Sequence, residues 1–254
     1  MSEYDIKFIP KSEAYFIFIK APHLERYSGY ELSSPNRQYK YNDFEDFNLK
    51  EQSLLHACIQ EINAFSLFPL ENINFMKTKA GKDWDFPHTF VIPGLNVIIL
   101  SSKTIYNFSI SGIKNRRFQE TILHEIIHLH QKRNQNDYNE YYKKVYNFMQ
   151  IPIENYELQR ESMITNPDGY YTNSILWIIK IKGDLWFPYL DISMEERLRK
   201  VEKNIGKYYL TNIYASAEII QEFQSMFPVQ SQRYHPNEIF ARINSKKLIF
   251  GRDL

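Results

Sequence analysis

The sequence predicts an α+β fold, a mixed sheet packed on one buried helix with further strands and helices toward the C-terminus. Three observations carry this. Short β-branched and aromatic runs are interspersed with stretches of helical periodicity, without the alternation of a βαβ protein. Within the helical stretch Arg116–Gln131, every residue from Ile122 to Leu129 is Ile or Leu apart from three placed polar groups, and a helix apolar on most sides is a buried helix. The composition, 43% hydrophobic and 24% charged over 254 residues, is that of a globular chain long enough to bury a sizeable core. One domain, 1–254, is expected, with sub-domains 1–150 and 151–254 as a finer division.

Taken in order, Tyr15–Ile19 (YFIFI) reads as a strand. Residues 22–48, with scattered Pro, Ser, Asn and Asp, read as irregular. Glu51–Phe65 reads as an amphipathic helix with Leu54, Leu55, Cys58, Ile59, Ile62 and Phe65 on one face, closed by Pro69. Asn74–Lys77 and Val97–Leu100 read as strands, the second apolar enough to be buried. Arg116–Gln131 is a long helix and Asp137–Met149 a Tyr-rich one. Ile151–Tyr171 is a loop containing the turn formers Asn166-Pro167-Asp168-Gly169. Ser174–Leu190 reads as two strands joined near Lys182-Gly183-Asp184. Glu195–Lys203 reads as a charged helix, Ala215–Met226 as an amphipathic one, and Pro236–Asn244 as a short last helix with Pro236 in its first turn.

Composition narrows the function. With 31 Lys+Arg against 30 Asp+Glu, no basic domain exists to bind nucleic acid or an anionic membrane surface. The 19 Tyr and 18 Phe read as a Tyr-rich core rather than a stacking platform. Cys58 is the only cysteine, so neither an intramolecular disulfide nor a Cys-based zinc site can form. There is no signal-peptide pattern at the N-terminus and no run of roughly 18 apolar residues. A soluble, intracellular protein is expected.

One motif carries chemistry: Thr121-Ile122-Leu123-His124-Glu125-Ile126-Ile127-His128-Leu129 contains H-E-x-x-H. On a helix, residues i and i+4 differ by about 40° of rotation, so His124 and His128 project side by side and can share one metal ion. Glu125 lies beside them and can take a proton from a water there. Apart from the motif, every residue from Ile122 to Leu129 is Ile or Leu. Two imidazoles and a carboxylate inside such a helix are costly without a partner. His130 points roughly 120° away and is not expected to be a ligand.

Thr121–Leu129 resembles the active-site helix of the zincin metallopeptidases. The resemblance implies that His124 and His128 bind Zn²⁺ and that Glu125 is the general base of peptide-bond hydrolysis. The three-histidine branch does not fit, because Gln131 stands where its glycine belongs and Asn134 where its third His belongs. Nor do peptide deformylases, whose cysteine ligand lies in a context unlike that of Cys58. The gluzincin branch takes its third ligand from an Asn-Glu-x-x-Ala/Ser pattern, which Asn237-Glu238-Ile239-Phe240-Ala241 resembles. That implies Glu238 as third ligand; Glu161, Glu157 and Asp168 remain alternatives. The segments TILHEIIHLHQ, NPDGYY and HPNEIFA are also similar to uncharacterised zinc-peptidase-like proteins of large DNA viruses and microbes.

The resemblance further implies an oxyanion-stabilising group, for which Tyr170, Tyr171, Tyr234 and His235 are candidates, and Asp168 or Arg160 as support for a ligand His. In zincins a strand placed like Val97–Leu100 holds an extended peptide at the sheet edge; an ordinary central strand is the other reading. The run Lys114-Asn115-Arg116-Arg117 reads as a solvated corner or a contact for an acidic substrate. The expectation is a zinc-dependent peptidase acting on a peptide or protein. The alternatives are a zinc-bound but non-catalytic protein on the zincin scaffold and a metal-free α+β interaction protein.

Overall fold

The computed structural model describes residues 5–20, 40–63, 68, 72–79, 87–111, 115–155, 163–164, 175–191, 195–227, 229 and 233–251. The chain forms two compact units. Described residues up to 133 and from 244 onward make the first, and residues from 134 to 243 the second. The class is α+β, with a mixed sheet in the first unit and a separate antiparallel sheet in the second. No helix among the described residues is long and apolar enough to cross a membrane.

In the first unit, strands β1 (Ile6–Phe8), β3 (Ile73–Thr78), β5 (Leu95–Ser101) and β4 (His88–Ile92) lie side by side in that order, and β2 (Phe44–Glu45) pairs with β3. β1, β3 and β5 run parallel; β4 runs antiparallel to β5. Alternation of side chains splits the sheet into two faces. Met76, Phe90, Val97 and Ile99 pack with Ile9, Ala14 and Phe44 under α1 (Lys11–Phe18). The opposite residues, Phe75, Ile98 and Leu100, are buried too, on the side where Lys77 meets Glu51 of α2 (Leu49–Asn63) at 2.8 Å. Helix α3 (Ser102–Ser111) follows β5, and α4 (Arg116–Arg133) packs on β4, β5 and α2.

Val97–Leu100 is therefore a central strand, hydrogen-bonded to β3 on one side and β4 on the other. The reading of it as a peptide-holding edge is overturned; among the described residues β4 borders this sheet. Tyr15–Ile19 is another correction, being helix rather than strand. Ala14, Ile17 and Phe18 share one helical face on the Phe44 cluster, and the Lys11 N–H donates to Asp46 Oδ1 at 2.7 Å at the helix start. The Glu51–Phe65 helix forms as α2, with Leu54, Leu55, Cys58, Ile59 and Ile62 buried; Phe65 and Pro69 lie outside the described residues.

The second unit is a six-stranded antiparallel sheet with helices on one side. Its strands run in the order β11 (Lys207–Tyr214), β10 (Glu196–Asn204), β9 (Asp184–Asp191), β8 (Ile175–Ile181) and β6 (Phe148–Pro152), and β7 (Met163–Ile164) pairs with β9. The two ends of the sheet meet. Ile153 bridges Tyr208, the Glu154 N–H donates to the Tyr208 carbonyl at 3.0 Å, and the Asn155 side chain bonds both backbone groups of Leu210. The sheet thereby closes into a small barrel. Leu176, Ile178, Phe187, Tyr189, Val201 and Leu210 fill it. Trp177, Ile179, Ile181, Trp186 and Leu198 point the other way, against α5 (Gln135–Val145), α6 (Ala217–Met226) and α7 (Pro236–Phe250).

The β8–β9 hairpin turns at Lys182-Gly183, with φ of 50° and 91°, as the sequence indicates. Glu195–Lys203 is a correction, being strand β10 rather than helix. Leu198 and Val201 are three residues apart, which on a helix would put them together. Here they fill different cores on opposite faces of the sheet. The Tyr-rich helix stops at Val145, because Asn147 takes a positive φ of 58° and starts β6 at Phe148. The last helix continues beyond Asn244 to Phe250.

Candidate metal centre

Helix α4 is preceded by Asn115. Its Oδ1 accepts from the Arg117 N–H at 3.0 Å and its carbonyl from the Phe118 N–H at 2.9 Å, the signature of an N-cap. Arg116 and Arg117 are exposed, as a solvated corner would be. Lys114 lies outside the described residues. The helix ends with His130, Lys132 and Arg133, charges suited to its C-terminal dipole. Lys132 Nζ donates to both the carbonyl and Oγ1 of Thr89, tying the last turn to β4. His130 packs edge-on against Phe68, turned away from the motif.

Phe118, Ile122, Leu123, Ile126, Ile127 and Leu129 are all at most 1% exposed, and among them His124 is 7%, Glu125 4% and His128 1% exposed. The two imidazoles stand edge to face, with centroids 4.5 Å apart. Their Nε2 atoms approach to 2.9 Å. The other nitrogen of His128, Nδ1, lies 2.7 Å from Gln131 Oε1. Gln131 was not singled out as functional by sequence. Its signal was a polar residue one turn after the second His, at the end of an apolar helix.

Glu238 sits in the first turn of α7 and is 1% exposed. The start of that helix is fixed locally. The His235 carbonyl accepts from the Ile239 N–H, and its Nδ1 accepts from the Asn237 N–H, each at 3.1 Å. His235 thus takes the N-cap position, with Pro236 following at the first helical position. Its ring stands edge-on to Trp177. Just upstream, Arg233 is held by Glu196 of β10. Its Nε donates to Oε2 at 3.1 Å and its backbone N–H to Oε1 at 2.9 Å. Sequence reading missed the Arg233–Glu196 anchor, because the two residues are 37 positions apart and no local pattern pairs them.

His124, His128 and Glu238 are each buried and each offer one ligand atom, a His-His-Glu grouping. Two imidazole nitrogens and one carboxylate oxygen are a donor set that suits Zn²⁺. Ligands at about 2.0–2.1 Å in a tetrahedral site are about 3.3 Å apart, so the observed Nε2–Nε2 separation needs little adjustment. Glu120, also buried, lies one turn before His124 and is not part of the grouping.

Of the other sequence candidates, Tyr234 is buried against Leu190, and His235 serves the cap just described. Glu157, Arg160, Glu161, Asp168, Tyr170 and Tyr171 lie outside the described residues. Comparison of the chain with protein-family models, with curated proteins and with solved structures finds no match.

Proposed function

We propose that this protein is a zinc-dependent peptidase on the zincin plan, with His124, His128 and Glu238 as metal ligands and Glu125 as general base. The observation that supports the reading is the buried motif helix, where the Nε2 atoms of His124 and His128 lie 2.9 Å apart with Glu125 next to His124 in sequence, together with a carboxylate, Glu238, buried at the start of α7. Buried carboxylates and imidazoles are expensive unless a cation or protons balance them. A zinc ion there supplies Lewis acidity, lowering the pKa of water and polarising a carbonyl.

Glu125 follows His124 directly and is buried with it. Its carboxylate takes a proton from the attacking water and returns it to the departing amine. The role that the zincin resemblance gives to an edge strand falls to β4 rather than β5. β4 has a strand on one side only among the described residues and packs on the motif helix. Its backbone can pair with an extended peptide, which makes a peptide the favoured substrate class.

Glu125→Gln separates this reading from the non-catalytic one. The variant is expected to bind zinc like wild type and to hydrolyse a peptide library several orders of magnitude more slowly. Wild-type protein that binds zinc but cleaves nothing in the library would favour a non-catalytic zincin module. Undiminished cleavage by Glu125→Gln would remove the general-base assignment.

A further inference from the structure

Gln131 is 2% exposed, and a buried primary amide is costly unless bonded. It lies three residues after His128, a spacing that makes neighbours on a helix. Its Oε1 faces His128 Nδ1 at 2.7 Å. An amide oxygen carries no proton, so Nδ1 must donate. A neutral imidazole has one N–H, and placing it on Nδ1 leaves the lone pair on Nε2. That is the atom 2.9 Å from His124 Nε2, and the one placed to ligate a metal.

We propose that Gln131 is the positioning residue of the metal centre. It holds His128 in the Nδ1–H tautomer and fixes the ring plane, so the ligating nitrogen is presented before an ion arrives. In water an unconstrained imidazole favours the opposite, Nε2–H form, which would have to rearrange before binding. The neutral acceptor also has an electrostatic logic. Glu120 and Glu125 already place two buried carboxylates on this helix, and an amide orients His128 without adding a third charge. This inference rests on the metal-site reading for its purpose, but its test does not depend on that reading.

The test uses full-length protein with ¹⁵N-labelled histidine, and two variants. Gln131→Met keeps length and helix propensity but removes the acceptor. Gln131→Glu keeps an acceptor. Long-range ¹⁵N–¹H correlation of the imidazoles reports the His128 tautomer, and competition titration with Zn²⁺ reports affinity. Wild type is expected to show Nδ1–H at His128 without metal. Gln131→Met should populate Nε2–H and bind zinc about 10–100-fold more weakly, whereas Gln131→Glu should restore both. An unchanged His128 tautomer in Gln131→Met overturns the proposal. So does zinc affinity within about twofold of wild type. Were wild type to bind no zinc, the metal-site reading would fall, and the metal-free tautomers alone would still decide the role of Gln131.

Discussion

The Arg233–Glu196 pair offers a quantitative test of how the fold presents Glu238. Glu196→Ala removes the acceptor of two hydrogen bonds, one from the Arg233 guanidinium and one from its backbone N–H. Arg233→Met removes only the first of these two, together with the guanidinium's bond to the Val229 carbonyl. The two side chains are 10% and 19% exposed, so water screens the pair weakly and surface-pair values of about 0–1 kcal/mol are too small. A charge-assisted bond contributes about 1.5–3 kcal/mol. The coupling energy of the double-mutant cycle should therefore be about 2 kcal/mol, and Glu196→Ala alone should cost about 3 kcal/mol.

Urea unfolding of the four proteins in chelator measures both values without a contribution from bound metal. The same lesion should loosen the turn that leads through His235 into α7. Glu196→Ala is thus expected to weaken zinc binding about tenfold although it is no ligand. A coupling below about 0.5 kcal/mol would refute the energetic argument. Unchanged zinc affinity in a folded Glu196→Ala protein would refute the claim that this anchor positions Glu238.

Other expectations concern stability. Burial, and then the charge of Glu61, push the Cys58 thiol from 9.0 up to about 12. Below pH 9 the thiol is protonated in both states and its stabilisation is complete; between pH 9 and 12 only the unfolded chain ionises, so stability falls as pH rises. Cys58→Ala should remove up to about 4 kcal/mol of that alkaline loss, read from urea midpoints across the window; an identical pH profile would contradict it. Tyr189, raised to about 12 by burial first, adds to the same window and should leave a residual slope. Ile205 is 94% exposed at the β10–β11 turn with φ of 46°, an unfavourable conformation for a β-branched side chain. Ile205→Asn, giving an Asn-Gly turn, should stabilise the protein by about 1 kcal/mol in urea unfolding.

Much of the fold was legible where one period dominated. The apolar stripe of α2, the buried motif helix α4 and the Lys182-Gly183 hairpin each carry a local signal that tertiary packing reinforces. Errors arose where local pattern was ambiguous. YFIFI suits a strand by propensity, yet Ala14 and the face it begins turn it into α1. Leu198 and Val201 suit a helix by spacing, yet the barrel needs them on opposite faces. Strands β4 and β11 went unread because their pairing partners, not their own composition, define them.

The candidate site divided in the same way. His124, Glu125 and His128 were readable because helix geometry alone places them together. Glu238 was reached through its resemblance to a pattern, which says nothing about distance in space. Gln131, Arg233 and the capping role of His235 act through hydrogen bonds that only the folded chain reveals.

The most direct test of the central claim is the metal content of purified protein by elemental analysis, wild type beside Glu238→Ala. The account predicts one zinc per chain in wild type and a sharp loss in the variant. Wild-type protein that holds no transition metal even when supplied with zinc, or a Glu238→Ala protein that retains a full equivalent, would contradict a centre built from His124, His128 and Glu238.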